Sequence, residues 1–91
     1  MDEPIQLPID GVLDLHTFQP GEVKELVRDY LAACRERGIL RVRIIHGKGI
    51  GHLRRTVHSI LAKHSEVVSF ALAGEHFGGW GVTMVQLRPM P

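Results

Sequence analysis

A single cysteine, Cys34, cannot close an internal disulfide, so nothing in the chain calls for an oxidising compartment. Long hydrophobic runs are missing as well: none approaches the ~20 residues of a membrane span. Residues 1–4 (MDEP) lack the basic-then-apolar layout of a secretion signal, so a cytoplasmic protein with no membrane attachment is expected. Charge of one sign is also scarce. Eleven lysines and arginines face 10 aspartates and glutamates, for a net +1 without an acidic or basic tail. That balance excludes general attraction of the whole chain to a polyanion; any such attraction must come from a local patch. No linker, repeat or low-complexity segment divides the 91 residues. One small domain over 12–88 is expected, with an extended arm at 1–11 and a tail at 89–91, and with a monomer as the expected state.

The most informative stretch is IIHGKGIGHLRR at 44–55. Ile44 and Ile45 close a run that fits a buried strand. Gly47, Gly49 and Gly51 then alternate with other residues, and Leu53, Val57, Ile60 and Leu61 follow at helical spacing. Strand, glycine loop and helix N-terminus in that order let a ligand approach the backbone closely and offer unpaired N–H groups to an anion. Lys48, His52, Arg54 and Arg55 add charge or donors beside it. The spacing is neither GxxxxGK[ST] nor a dinucleotide fingerprint, so a nucleotide-binding P-loop is excluded. The glycines are equally compatible with a plain tight turn.

Around this stretch the chain alternates between two periods. Residues 12–16 (VLDLH) form a short strand with Leu13 and Leu15 on one face and Asp14 and His16 on the other. Pro20 suits the first position of a helix, and Glu22 falls at its third. Val23, Leu26, Val27, Tyr30, Leu31 and Cys34 make one apolar stripe, and Gly38 suits the position just beyond the helix end. Cys34 therefore belongs to the core and is not a nucleophile. Lys24, Glu25, Arg28 and Asp29 fall on a solvated face. Residues 40–45 form the second strand, a second helix covers about 50–63, and 67–72 and 82–87 form two more strands. The last pair should join as an antiparallel hairpin across a long loop at 73–79, in which Glu75 and His76 are expected to be solvated. His52, His58 and His64 recur every six residues, a spacing that keeps them off one helix face; they cannot share a metal and are expected at the surface.

The expected fold is α/β (an α+β sandwich) of order β-α-β-α-β-β: a mixed four-stranded sheet covered by two helices, its first two strands parallel. Ligands of such sheets gather outside the carboxyl ends of parallel strands. His16 ends the first strand and His46 the second, so neighbouring strands would bring both histidines and Lys48 to one edge.

Three segments also resemble a known family. LDLH at 13–16, HGKG at 46–49 and GGWGVTMVQL at 78–87 occur in the order and spacing of the Smr (small MutS-related) domain, and the run at 46–55 resembles the form at the C-terminus of the second bacterial MutS type. The resemblance implies a mixed four-stranded sheet with two helices, nucleic-acid binding, and in many members an endonuclease that nicks DNA or cuts RNA. It points to Asp14, His16, His46, Gly47 and Gly49 as functional positions. Thr17 and Phe18 depart from the pattern, since glycine usually follows LDLH and lets a backbone approach closely.

Phosphodiester cleavage needs a base for the nucleophile, stabilisation of charge on phosphorus and a proton for the leaving oxygen. His16 and His46 suit base and acid near neutral pH. Asp14 suits the orientation of an imidazole or the holding of a divalent ion, with Mg2+, Mn2+ and metal-free chemistry all left open. Gly47, Lys48, Gly49 and Gly51, with His52, Arg54 and Arg55, suit the phosphate. Trp80, between glycines, suits either stacking on an unpaired base or packing on the sheet edge. The expected function is an Smr-type endonuclease acting on DNA or RNA; the alternative is a non-catalytic module that binds branched DNA or RNA.

Overall fold

Alternation of apolar and polar residues decides how the sheet is covered. The computed structural model describes residues 7–49, 51–74 and 79–91. Its elements run β1 (Val12–Asp14), α1 (Val23–Glu36), β2 (Arg41–Ile45), α2 (His52–Lys63), β3 (Val67–Leu72) and β4 (Val82–Leu87). They form a four-stranded sheet of order β1-β2-β4-β3. β1 pairs parallel with β2, while β4 runs antiparallel to both of its neighbours. The mixed topology and the closing hairpin are those the periodicity predicts.

Leu13 and Leu15 after β1's start, Val42 and Ile44 of β2, and Val85 and Leu87 of β4 are buried in one cluster. Val23, Val27, Tyr30, Leu31 and Cys34 of α1 and Val57 and Leu61 of α2 complete it. Both helices therefore cover the same sheet face. The other face carries Val12, Asp14 and Arg41, all exposed. Among the described residues no helix is long and apolar enough to cross a membrane.

Two elements differ from the expected bounds. The first strand stops at Asp14 rather than at residue 16. Leu15 still donates its N–H to the Ile45 carbonyl (2.9 Å), but the next N–H, that of His16, turns back to Asp14 Oδ1 (3.1 Å) and leaves the ladder. The first helix opens with a 3-10 turn at Pro20–Glu22, where the Glu22 carboxylate accepts the Gln19 N–H at 2.8 Å. Glu75, His76 and Ile50 lie outside the described residues, as do residues 1–6 of the arm; Leu7 and Ile9 pack against the core.

Tyr30 is the one stripe residue with a polar task. Its buried hydroxyl accepts the Gly11 N–H (3.1 Å) and donates towards the Val12 carbonyl (3.0 Å), tying α1 to the start of β1. Burial is the main reason its phenol is held above the ordinary tyrosine range. Tyr30→Phe leaves the Gly11 N–H without a partner, so a loss of about 1–2 kcal/mol in urea unfolding is expected; an unchanged midpoint would show that this bond contributes nothing.

Candidate nucleic-acid interface

Three chain segments meet at one edge of the sheet. The parallel pairing sets Asp14 opposite Ile45, so residues 15–16 emerge beside residues 46–47. The 3-10 turn Gly79–Gly81 lies against the same place, because the Gly81 carbonyl accepts the N–H groups of both His46 (2.9 Å) and Gly47 (3.0 Å). The edge expected from the strand order is therefore assembled, with His16, His46 and Lys48 all on it. His16 and His46 differ in face, however. Alternation carries His16 to the side of Val12 and Asp14, and His46 to the covered side of Val42 and Ile44.

On the open side, His16 Nδ1 lies 2.6 Å from Asp14 Oδ1. That same oxygen already accepts the His16 backbone N–H, which fixes the carboxylate under the ring. The hydrogen bond from the imidazole, followed by the backbone bond, holds Asp14 below its ordinary carboxylate value. An ionised Asp14 takes the Nδ1 proton as a hydrogen bond, so the neutral ring presents Nε2 as an acceptor. The His16 side chain is 71% exposed, which leaves that nitrogen open to a substrate.

On the covered side, His46 is buried and both its ring nitrogens are occupied. Nδ1 lies 3.2 Å from the Gly47 carbonyl and Nε2 lies 2.8 Å from Thr83 Oγ1. His58 Nε2 approaches the same hydroxyl at 2.7 Å. A carbonyl only accepts, so His46 Nδ1 carries the proton and its Nε2 accepts from Thr83 O–H. A hydroxyl has one proton to give, so His58 Nε2–H must donate to Thr83 Oγ1. Desolvation is the main cause that lowers both imidazoles below the ordinary histidine value, in keeping with this neutral arrangement. His58 thus corrects the expectation of a surface histidine: it is half-buried, edge-on to His46 (6.1 Å between ring centres) and against Phe70 (5.0 Å). His64 is half-buried too, its Nδ1 accepting the Glu66 N–H at 3.1 Å, whereas His52 is exposed. The spacing by sixes gave no sign of His58's role. Thr83 alternates with Val85 and Leu87 and is buried with them, but alternation does not name its partners.

The glycine loop is clamped from one side and open on the other. Gly47 sits at φ +84°, a conformation that side chains disfavour, and an added Cβ would meet nothing within 4 Å. At Gly81 the reason for glycine is close approach: a Cβ there would fall 3.2 Å from Lys48 Cγ and 3.3 Å from the Gly47 carbonyl carbon. The Lys48 stem therefore lies on the turn that carries Trp80, a residue 67% exposed. Gly51 caps α2 and supplies no capping side chain, and the Arg54 and Arg55 guanidiniums fold back to within 3.0 and 3.3 Å of where its Cβ would be. Gly47, Lys48, Gly49, His52 and Arg55 are exposed, and Arg54 and Gly51 half so. Among the described residues no three histidine, cysteine or carboxylate groups converge on one point. Asp14, with one oxygen already engaged, suits a single divalent ion held largely through water.

The model of the Smr domain matches residues 13–88. The chain belongs to the Smr domain family. A protein named endonuclease MutS2 from Thermomicrobium roseum is 48% identical over 80 residues, covering 88% of this chain and 10% of its own length. The MutS2 endonuclease of Solidesulfovibrio magneticus is 52% identical over 77 residues, covering 85% of this chain and 10% of its own length. The chain thus spans about a tenth of these relatives. Among solved structures, the Smr domain of Thermus thermophilus MutS2 superposes with a TM-score of 0.81 at 38% identity, covering 86% of this chain and 98% of its own. YdaL, a stand-alone small MutS-related protein from Escherichia coli, superposes at 0.79 with 30% identity, covering 89% of this chain and 66% of its own. The four-stranded mixed sheet and two helices are therefore those of the Smr fold.

Proposed function

We propose that this Smr domain is a nucleic-acid-binding endonuclease that cuts DNA or RNA at the edge formed by His16 and the glycine loop. The observation that carries it is the Asp14–His16 pair: a carboxylate 2.6 Å from Nδ1 sets the ring with Nε2 outward, next to a loop of exposed backbone and cationic groups. The relatives that bear the name endonuclease support the same class. In this scheme His16 Nε2 takes the proton from the attacking hydroxyl or water. The N–H groups of Lys48 and Gly49 and the Lys48 ammonium hold the phosphoryl oxygens as charge develops on them. His46 acts from beneath as a positioning residue: Gly47 follows it directly, and its ring is pinned by Thr83. Protonated and released from Thr83, its Nε2–H would supply the proton that the leaving oxygen needs. Mg2+ or Mn2+ held by Asp14 would add charge stabilisation, and no step above depends on it.

The test is cleavage of labelled plasmid and labelled single-stranded RNA, with Mg2+, Mn2+ or EDTA, by the parent and by His16→Ala. Cutting by the parent that the variant loses supports the scheme; equal cutting by both points to a contaminant. The second reading, a non-catalytic module for branched DNA or RNA, draws on one observation: both nitrogens of His46 are engaged, so a single histidine is left for two proton transfers. Gel shift without cleavage would favour it.

Trp80 separates single-stranded from duplex substrates. Stacking of an exposed aromatic on an unpaired base is worth about 1–3 kcal/mol, so Trp80→Ala should weaken binding of a single-stranded oligonucleotide by that amount and leave duplex binding nearly unchanged. Equal losses on both would remove stacking as its role.

A further inference from the structure

A groove of about 710 Å³ opens between α1 and α2. Lys24 and Arg28, one turn apart on α1, line one wall; His52, Arg55, Ser59 and Lys63 of α2 line the other. Among the described residues no carboxylate lines it. The ion pairs among the described residues, His16–Asp14 and Arg35–Glu66, involve none of its four permanent cations. In a chain whose net charge is only +1, four cations along one groove, none of them ion-paired among the described residues, are a concentration that the overall balance conceals. Hydroxyls of Thr56, Ser59 and Ser65 add donors, and among the described residues Ile60 is the one apolar side chain of the lining. A polyanion would find counter-charge and donors along it, with no carboxylate in the described lining to oppose it.

The groove also has a direction. His52 and Arg55 belong to the first turn of α2, directly after the glycine loop, and Lys63 ends that helix. Arg55 to Lys63 spans ~12 Å at 1.5 Å per residue, room for several phosphates of a strand, which carries one charge every ~3.4 Å of duplex axis.

We propose that this groove is a second contact for the phosphodiester backbone of the nucleic acid gripped at the glycine loop, leading the strand along α2 away from His16. It rests on the nucleic-acid reading above. The experiment measures binding of labelled single-stranded RNA and DNA of about 16 nucleotides and of about 4 nucleotides by anisotropy across a range of KCl concentrations. The groove variant is Lys24→Gln, Arg28→Gln and Lys63→Gln together. The control is Arg37→Gln, Arg41→Gln and Arg88→Gln, exposed residues that remove the same charge at the far end of the sheet. For the longer oligonucleotide, the groove variant should reduce the slope of log K against log salt by about two to three units. The control should reduce it by less than about one. For the shorter oligonucleotide, which cannot occupy loop and groove together, the two variants should match. Equal behaviour on the longer oligonucleotide overturns the groove while leaving the loop as a nucleic-acid site. Failure of the parent to bind either polymer at low salt overturns both. Thermal midpoints of the two variants, expected to match the parent's because all six residues are exposed, exclude loss of fold as the cause.

Discussion

His16→Ala is expected to slow single-turnover cleavage by about 10²–10⁴-fold, the range that a positioned general base contributes. Substrate affinity should stay within about twofold, because His16 offers an acceptor nitrogen rather than a permanent cation to the phosphates. The split matters, since it separates a group that acts in the transition state from one that merely binds. Asp14→Asn sharpens the test. The amide keeps an oxygen near Nδ1 but loses the charge that stabilises an imidazolium, so a smaller loss is expected than for the alanine at His16. Asp14 is held below its ordinary carboxylate value by its bonds to His16, so it stays ionised throughout the neutral range. Its contribution should therefore persist as pH rises above that value and fade only in strong acid, as pH falls through the depressed value. A rate for His16→Ala equal to that of the parent would remove the Asp14–His16 pair from the chemistry.

Fold and site were legible in the sequence to different depths. Period two around Val42 and Ile44 and period 3.6 through Val23, Val27 and Leu31 are consequences of burial, and burial is what assembled the sheet and its two helices. The edge that joins His16, His46 and Lys48 followed from strand order alone. The face did not follow from the edge. Counting two residues on from Ile44 places His46 under the helices, and counting two from Asp14 places His16 in solvent; that step separates an exposed imidazole from an internal strut. His58 was illegible for another reason. Its partner Thr83 is 25 residues away in sequence, and a helix position flanking the apolar stripe carries no mark of which polar group will meet it across the core. Trp80 stayed open between stacking and packing because a residue between two glycines has no periodicity from which to read a face.

Thr83→Val should cost about 2–4 kcal/mol of folding stability. Valine preserves the shape, so the change removes little packing; what it removes is the hydroxyl shared by two imidazoles at 2.8 and 2.7 Å. His46 Nε2 then becomes a buried acceptor without a donor, and His58 Nε2–H a donor without an acceptor. Each such group costs about 1–3 kcal/mol, less at His58, which is only half-buried and regains some water. At ~4–8 °C per kcal/mol for a domain of this size, the thermal midpoint should fall by on the order of 10–20 °C. The parent should also lose stability with acid. His46 and His58 both bind a proton less readily folded than unfolded, so their neutral network is intact above the ordinary histidine value of 6.5 and its stabilisation drains away as pH falls below it. Protonating His46 puts a donor on Nε2 where Thr83 now donates, so the hydroxyl would have to turn away and the loop after Ile45 would lose its pin. Urea unfolding of parent and variant at pH 7.5 and pH 5.5 checks both statements. A variant within about 0.5 kcal/mol of the parent at the higher pH would mean that water or another group satisfies the two rings, and that the histidine pair does not hold the glycine loop in place.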